Sequence, residues 1–136
     1  MPDVSRPEDR AGLRVMVVDD HPMWREGVER DLTEAGFTIV ASAGTGEAAI
    51  NRFGATQPDV VVLDLQMPEM SGFIAAEVIR RDTNVAVLAA LTGLSGMTVR
   101  EQAEKAGFDL YFSMGVGYGE LSAALIALAR ERRRGR

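Results

Sequence analysis

Short apolar runs separated by helical stripes organise this chain. Five segments read as strands: Arg14 to Val18, Phe37 to Ala43, Val60 to Leu63, Val85 to Leu91 and Phe108 to Phe112. The run at 60 to 63 is continuous and mostly β-branched, the pattern of a strand buried on both faces in a parallel sheet. Between the runs, apolar residues recur at helical spacing. Trp24, Val28 and Leu32, with Ala35, form the first stripe, which Gly36 stops. Gly44-Thr45-Gly46 opens a short helix through Ile50 and Phe53 that ends before Pro58. Phe73, Ile74, Val78 and Ile79 mark a third, and the polar segment Thr98 to Ala106, closed by Gly107, a fourth. The last runs from Glu120 to about Arg133 on Leu121, Ala124, Leu125 and Leu128. Pro22 suits the first position of a helix, and glycine suits the stops.

Five strands alternating with five helices predict repeated βα units. The fold class is therefore α/β, with one doubly wound parallel sheet and right-handed crossovers. Residues 113 to 119 read as a glycine-rich loop, and residues 1 to 12, with two prolines, as a flexible N-terminal arm. The domain is expected over residues 13–130, with 131–136 as a basic tail or the start of a linker. No repeat and no internal linker interrupts it.

Composition narrows the function. The chain has 136 residues, 46% of them hydrophobic, which suffices for one core. With no cysteine, disulfides, thiolate metal sites and a cysteine nucleophile are excluded. No apolar stretch approaches the ~18 residues of a membrane span, and the first residues lack a signal core, so a cytoplasmic protein without membrane contact is expected. The net charge of −5 argues against the domain itself binding nucleic acid. The five arginines between Arg130 and Arg136 are read first as cations complementing a helix C-terminus.

Three strand ends carry polar groups: Asp19 and Asp20 after the first, Asp64 after the third, Thr92 after the fourth. A doubly wound sheet gathers such ends around its switch point. Asp64 alone suits a loop-capping role equally well. Three carboxylates together are costly, since each pair about 4 Å apart repels by about 4 kcal/mol at an effective dielectric of 20. A hard dication relieves that cost, and Mg²⁺ suits a site with few carboxylates. The bland alternative is three solvated acids that never meet.

The motifs Val17-Val-Asp-Asp-His-Pro22, Asp59-Val-Val-Val-Leu-Asp64-Leu-Gln-Met-Pro68-Glu-Met-Ser-Gly72 and Leu91-Thr92-Gly93 resemble those of response-regulator receiver domains. The Asp-Asp-His-Pro start and Lys105-Ala-Gly107 are most similar to the NarL/FixJ-like subgroup, and the likeness spans about residues 13 to 130. It implies a flavodoxin-like (βα)5 receiver with strand order 2-1-3-4-5. It also implies that Asp64 accepts a phosphoryl group from a histidine kinase or a small phosphodonor. Asp20, Asp64 and the backbone carbonyl of Gln66 would hold Mg²⁺, with Asp19 acting through water. Thr92 would donate its hydroxyl to a phosphoryl oxygen, and Tyr111 would be the aromatic whose swing reports activation. His21 is expected to be structural. Beyond taking up and losing its own phosphoryl group, such a domain is not an enzyme. Its implied partners are the kinase or phosphodonor, a second copy through the fourth helix, fifth strand and last helix, and DNA only through an output domain outside this chain.

One position departs from the pattern. The family expects a lysine 22 residues after the threonine, and this chain has Met114 there. A thioether cannot replace an ammonium that bridges Asp64 and a phosphoryl group. Such a charged hydrogen bond is worth about 1.5–3 kcal/mol, against about 5.5 kcal/mol to drive a switch from 1:99 to 99:1. The expectation is phosphorylation with a weak link to the switch. The alternative is a receiver-like module that binds partners without phosphate control. Two other readings fit less well. Gly44-Thr-Gly46-Glu-Ala-Ala49 matches a dinucleotide fingerprint but leaves Asp19 and Asp20 without a role. A haloacid-dehalogenase-type phosphatase wants a second acid where Gln66 stands.

Overall fold

The computed structural model describes residues 13–67, 69–83, 86–93, 96–113 and 118–134, with backbone alone at 118, 119, 133 and 134. Expectations for the arm at residues 1–12, for Pro68, Val85 and Met114, and for the last two tail residues lie outside the described residues.

Five strands alternate with five helices. They are β1 (Arg14–Val18), α1 (Pro22–Glu34), β2 (Thr38–Ala43), α2 (Gly46–Thr56), β3 (Val60–Leu63), α3 (Gly72–Asp82), β4 (Val87–Thr92), α4 (Met97–Ala106), β5 (Leu110–Ser113) and α5 (Tyr118–Arg134). The strands form one parallel sheet in the order β2-β1-β3-β4-β5. Alternate side chains serve opposite faces, which is why the strand runs are apolar throughout. Met16, Val18, Val61, Leu63, Leu88 and Ala90 face a cluster completed by Ala49, Phe53, Ala75, Ala76, Ile79 and Ala103 from α2, α3 and α4. Val15, Val17, Val60, Val62, Val87, Ala89 and Leu91 face Val28 and Leu32 of α1 and Leu121, Leu125, Ile126 and Ala129 of α5.

Local chemistry sets the helix ends. Pro22 opens α1, and the Thr45 hydroxyl caps α2 by accepting from the Ala48 N–H at 3.1 Å. Gly36 and Gly107 take the left-handed backbone expected of stops, at φ 104° and 106°. Several boundaries move from the expected ones. Phe37 and Phe108 leave the strands because their N–H groups close helix ends, donating to Leu32 O and Ala103 O at 3.0 Å each. Both ends of the loop expected at 113 to 119 fall in regular structure, Ser113 in β5 and Tyr118 at the start of α5. That helix runs through Arg134, one residue past its expected end.

Two residues of the expected apolar stripes turn outward. Trp24 is 39% exposed and Ile74 49%. Both lie in first helical turns, which stand at the carboxyl edge of the sheet over loops rather than over strands. The buried face of α3 is instead Gly72, Ala75, Ala76 and Ile79. Small residues there bring α3 tight against the end of β3.

Candidate functional site

The register of the central strands builds the site. Val18 pairs with Leu63, so the next residues, Asp19 and Asp64, leave the sheet side by side. Hydrogen bonds from Asp19 N–H to Ala43 O and from Asp64 N–H to Val18 O, both 3.0 Å, hold these strand ends in place. Asp20 and His21 follow on the same loop. One ligand atom from each of Asp19, Asp20, His21 and Asp64 lies within 4.8 Å of all the others. The separate, solvated acids of the bland reading are therefore not what the chain makes.

Glycine makes the close approach at Asp64 possible. A Cβ on Gly72 would lie 2.1 Å from the Asp64 carbonyl oxygen and 2.8 Å from Leu65 Cα. Only a residue without a side chain lets α3 begin this near β3. Ser71 then caps α3, its hydroxyl accepting from the Ile74 N–H at 3.4 Å.

The electrostatics are those of a charge left uncompensated. Asp19 and Asp64 are both buried. The Asp64 carboxylate accepts one backbone N–H, from Gln66 at 3.1 Å. Burial, reinforced by Asp19 and Asp20, raises its pKa from 3.8 to about 6, against the opposing pull of the Gln66 N–H and His21. Asp20 Oδ1 is buried with no hydrogen-bond donor. It lies 3.0 Å from His21 Nδ1, but not in hydrogen-bonding alignment. An orphaned carboxylate oxygen beside two further acids fits a dication, whose oxygen ligands it would join.

The other expected residues distribute as follows. Thr92 ends β4, two residues past Ala90, the partner of Leu63, and is fully buried. Tyr111 sits in β5 opposite Ala90, half-buried, with the Arg100 guanidinium 5.2 Å from its ring centre. Gln66 is exposed on the β3–α3 loop, next to Asp64. Met114 lies outside the described residues. His21, expected to be structural, stands among the acids, its ring nitrogen hydrogen-bonded with Asp19 Oδ1 at 3.2 Å. One contact went unread in the sequence. Arg25 Nη1 donates to the Asp19 carbonyl at 2.7 Å and fixes the β1–α1 loop. Nothing in its spacing on α1 announces that contact.

Known proteins share this fold. The profile of the response regulator receiver domain matches residues 15–126. A probable transcriptional regulator ycf27 from Guillardia theta is 34% identical over 117 residues, 86% of this chain and 45% of that protein. The nitrate/nitrite response regulator protein NarP of Escherichia coli is 42% identical over 81 residues, 59% of this chain and 38% of that protein. The chain thus spans less than half the length of these two relatives. Among solved structures, the signal receiver domain of the putative response regulator NarL from Mycobacterium tuberculosis superimposes with a TM-score of 0.83 at 30% identity, covering 88% of this chain and 98% of that one. The NarL and NarP likenesses agree with the subgroup expected from the motifs.

Proposed function

Because this chain belongs to the response-regulator receiver family of two-component systems, we propose that it is a phosphoacceptor working at Asp64. The observation carrying this reading is the convergence of Asp19, Asp20 and Asp64 at one sheet edge, with the central carboxylate buried and short of donors. An oxygen of Asp64 attacks the phosphorus of a phosphohistidine or small acyl phosphate. The bond from phosphorus to the donor's nitrogen or oxygen breaks, and an aspartyl phosphate forms. Asp20, Asp64 and the Gln66 carbonyl would hold Mg²⁺, with Asp19 beside it. A bound dication supplies neutralisation of charge on the phosphoryl oxygens. Thr92 donates its hydroxyl to one of those oxygens.

The cognate donor is a histidine kinase, and the output is control of transcription, as the names of the ycf27 and NarP relatives suggest for whole proteins of this kind. Any DNA contact belongs to a separate output domain. A site of action in the cytoplasm goes with this partner set. The groove of about 350 Å³ between α4, β5 and α5, bordered by Arg100, Tyr111, Phe112 and Glu120, is the surface offered for pairing with a second copy.

Incubation with Mg²⁺ and acetyl phosphate tests the reading by intact mass. A single phosphoryl adduct on the wild type that disappears in Asp64→Ala is the expected result. An adduct retained in Asp64→Ala overturns the assignment of the acceptor. Absence of adduct from both favours the second reading, an interaction module without phosphate control, to which the methionine at 114 points.

A further inference from the structure

We propose that Arg25 is a positioning residue for the acid-bearing loop between β1 and α1, and that Gly44 is required because it makes room for the Arg25 guanidinium. The proposal rests on the phosphoacceptor reading given above and extends it to two residues outside the acidic cluster.

The loop carries three of the four clustered side chains, Asp19, Asp20 and His21, and few contacts tie it to the rest of the fold. The Asp19 N–H donates to Ala43 O at 3.0 Å. The His21 N–H donates to Asp19 Oδ1 at 2.8 Å, a bond internal to the loop. Between them, the Asp19 carbonyl accepts from Arg25 Nη1 at 2.7 Å. Arg25 is itself anchored at the other end, its N–H donating to His21 O at 2.9 Å. A charged donor at this distance makes a strong hydrogen bond. It falls on the peptide that joins Asp19 to Asp20. That unit is planar, so turning it changes ψ of Asp19 and φ of Asp20 together and swings the Asp20 carboxylate relative to Asp64. Arg25 acts by position rather than by its field. The charged neighbours that shift Asp64 are Asp19, Asp20 and His21, and Arg25 is not among them.

Gly44 leaves the notch that the guanidinium occupies. A Cβ there would lie 3.2 Å from Arg25 Nη1 and 4.0 Å from the Asp19 carbonyl oxygen. The backbone does not ask for glycine, since among the described residues the glycines at left-handed φ are 36, 96 and 107. What position 44 needs is the space. The segment that resembles a dinucleotide fingerprint is thereby accounted for by packing. Gly44 houses Arg25, the Thr45 hydroxyl caps α2, and a Cβ on Gly46 would meet Met70 Sδ at 2.8 Å.

Arg25→Met, Gly44→Ala and the double variant test this by two readouts that need no phosphodonor. The first is amide hydrogen exchange without metal. Exchange at Asp20 and His21 is expected to quicken in Arg25→Met, while Val17 and Val62 in the neighbouring strands keep their rates. The second is calorimetric titration with MgCl₂. Affinity is expected to fall about tenfold in Arg25→Met, the lower end of what loss of a ligand-orienting partner costs, and by less in Gly44→Ala. In the Arg25→Met background, Gly44→Ala should cost nothing further, because coupled residues are not additive. The ratio of wild-type to Arg25→Met affinity should be the same at low and high salt, since only a field effect is screened. Unchanged exchange at Asp20 and His21, or exchange quickened equally at Val17, overturns the positioning role. A ratio that collapses at high salt overturns it in favour of simple charge. An additive loss in the double variant overturns the role of Gly44. Failure of the wild type to bind Mg²⁺ overturns the cation reading of the acidic site, and the exchange rates still decide whether Arg25 orders the loop.

Discussion

Two aspartates at opposite edges of one sheet are treated in opposite ways. Asp109 stands just before β5 and is approached by two guanidiniums. Arg80 Nη2 donates to Oδ2 at 2.7 Å, Arg132 Nη1 to the same oxygen at 3.0 Å, and Arg132 Nη2 to Oδ1. The Leu88 N–H adds a fourth donor at 2.9 Å. Asp64 stands just after β3 and has one backbone donor and two acids for neighbours. Both carboxylates are mostly withdrawn from water, so burial alone does not separate them. The number of donors does. The amino edge of the sheet uses its carboxylate to tie α3, α5, β4 and β5 together. The carboxyl edge gathers three acids with one histidine beside them, a concentration of charge that the proposed dication would neutralise.

The largest effect is expected where the charge is matched. Asp109→Ala strands two guanidiniums that are 22% and 24% exposed. Breaking a buried pair by removing one partner costs about 3–5 kcal/mol, and this partial exposure places the loss near 3 kcal/mol. Urea unfolding at an unchanged m-value measures it. Cation affinity at the other edge should stay within about twofold, because the two clusters share no residue. A loss below about 1 kcal/mol would show that the contrast between the edges is not energetic.

A smaller effect of opposite sign is expected at Asp64. Its folded pKa of about 6 lies above the ordinary 3.8, so the native state binds the extra proton between these values. Cation-free stability should therefore fall as the pH rises from about 4 to about 6, then level off. At 1.36 kcal/mol per pK unit the loss is at most about 3 kcal/mol, and solvent at the cleft mouth around Asp20 and His21 lowers it towards 2. Asp64→Asn should remove that slope and be more stable than the wild type at pH 7 without added metal. Millimolar Mg²⁺ should reverse the order by stabilising only the wild type. Thermal melts across pH 4 to 7 test both statements, and parallel wild-type and variant curves would show that Asp64 is not the strained group.

This contrast was half legible in the sequence. The acids at 19, 20 and 64 could be read because strand ends in a parallel sheet converge by topology, and a strand end is visible as the close of an apolar run. The register that puts Asp19 beside Asp64, Val18 against Leu63, is not written in the apolar runs, and the adjacency of those two strands was implied only by the family resemblance. Asp109 was not legible as a clamp. Its partners lie 29 and 23 residues away, on two helices whose exposed arginines look like any solvated face. Arg132 shows the limit well: a cation expected merely to complement its helix end reaches instead to the partly buried carboxylate of Asp109 and to the Ala86 carbonyl at 2.9 Å. Trp24 and Ile74 misled for a related reason. Helical periodicity shows which residues share a face, but not where the sheet beneath that face ends.

The smallest effect concerns a contact between the two edges. The Arg100 guanidinium of α4 lies over the Tyr111 ring of β5. The ring, like Val99, also packs against the core cluster between the sheet and α2 to α4. A partly exposed cation–π contact is worth about 0.5–1 kcal/mol, so Arg100→Ala should lower stability by no more than that. Arg100→Lys keeps the charge but lacks the flat face that stacks on a ring, and should recover only part of it. The more telling measurement is the ring itself. If Arg100 holds Tyr111 in place, the alanine variant frees the ring, and its aromatic proton resonances should move towards a mobile average while Asp64 and its cation affinity stay unchanged. Resonances as dispersed as in the wild type would mean that the core contacts hold Tyr111 without help from α4. Loss of cation affinity would mean instead that the acidic cluster depends on α4 as well as on its own strands, and the separation between the two edges of the sheet would have to be given up.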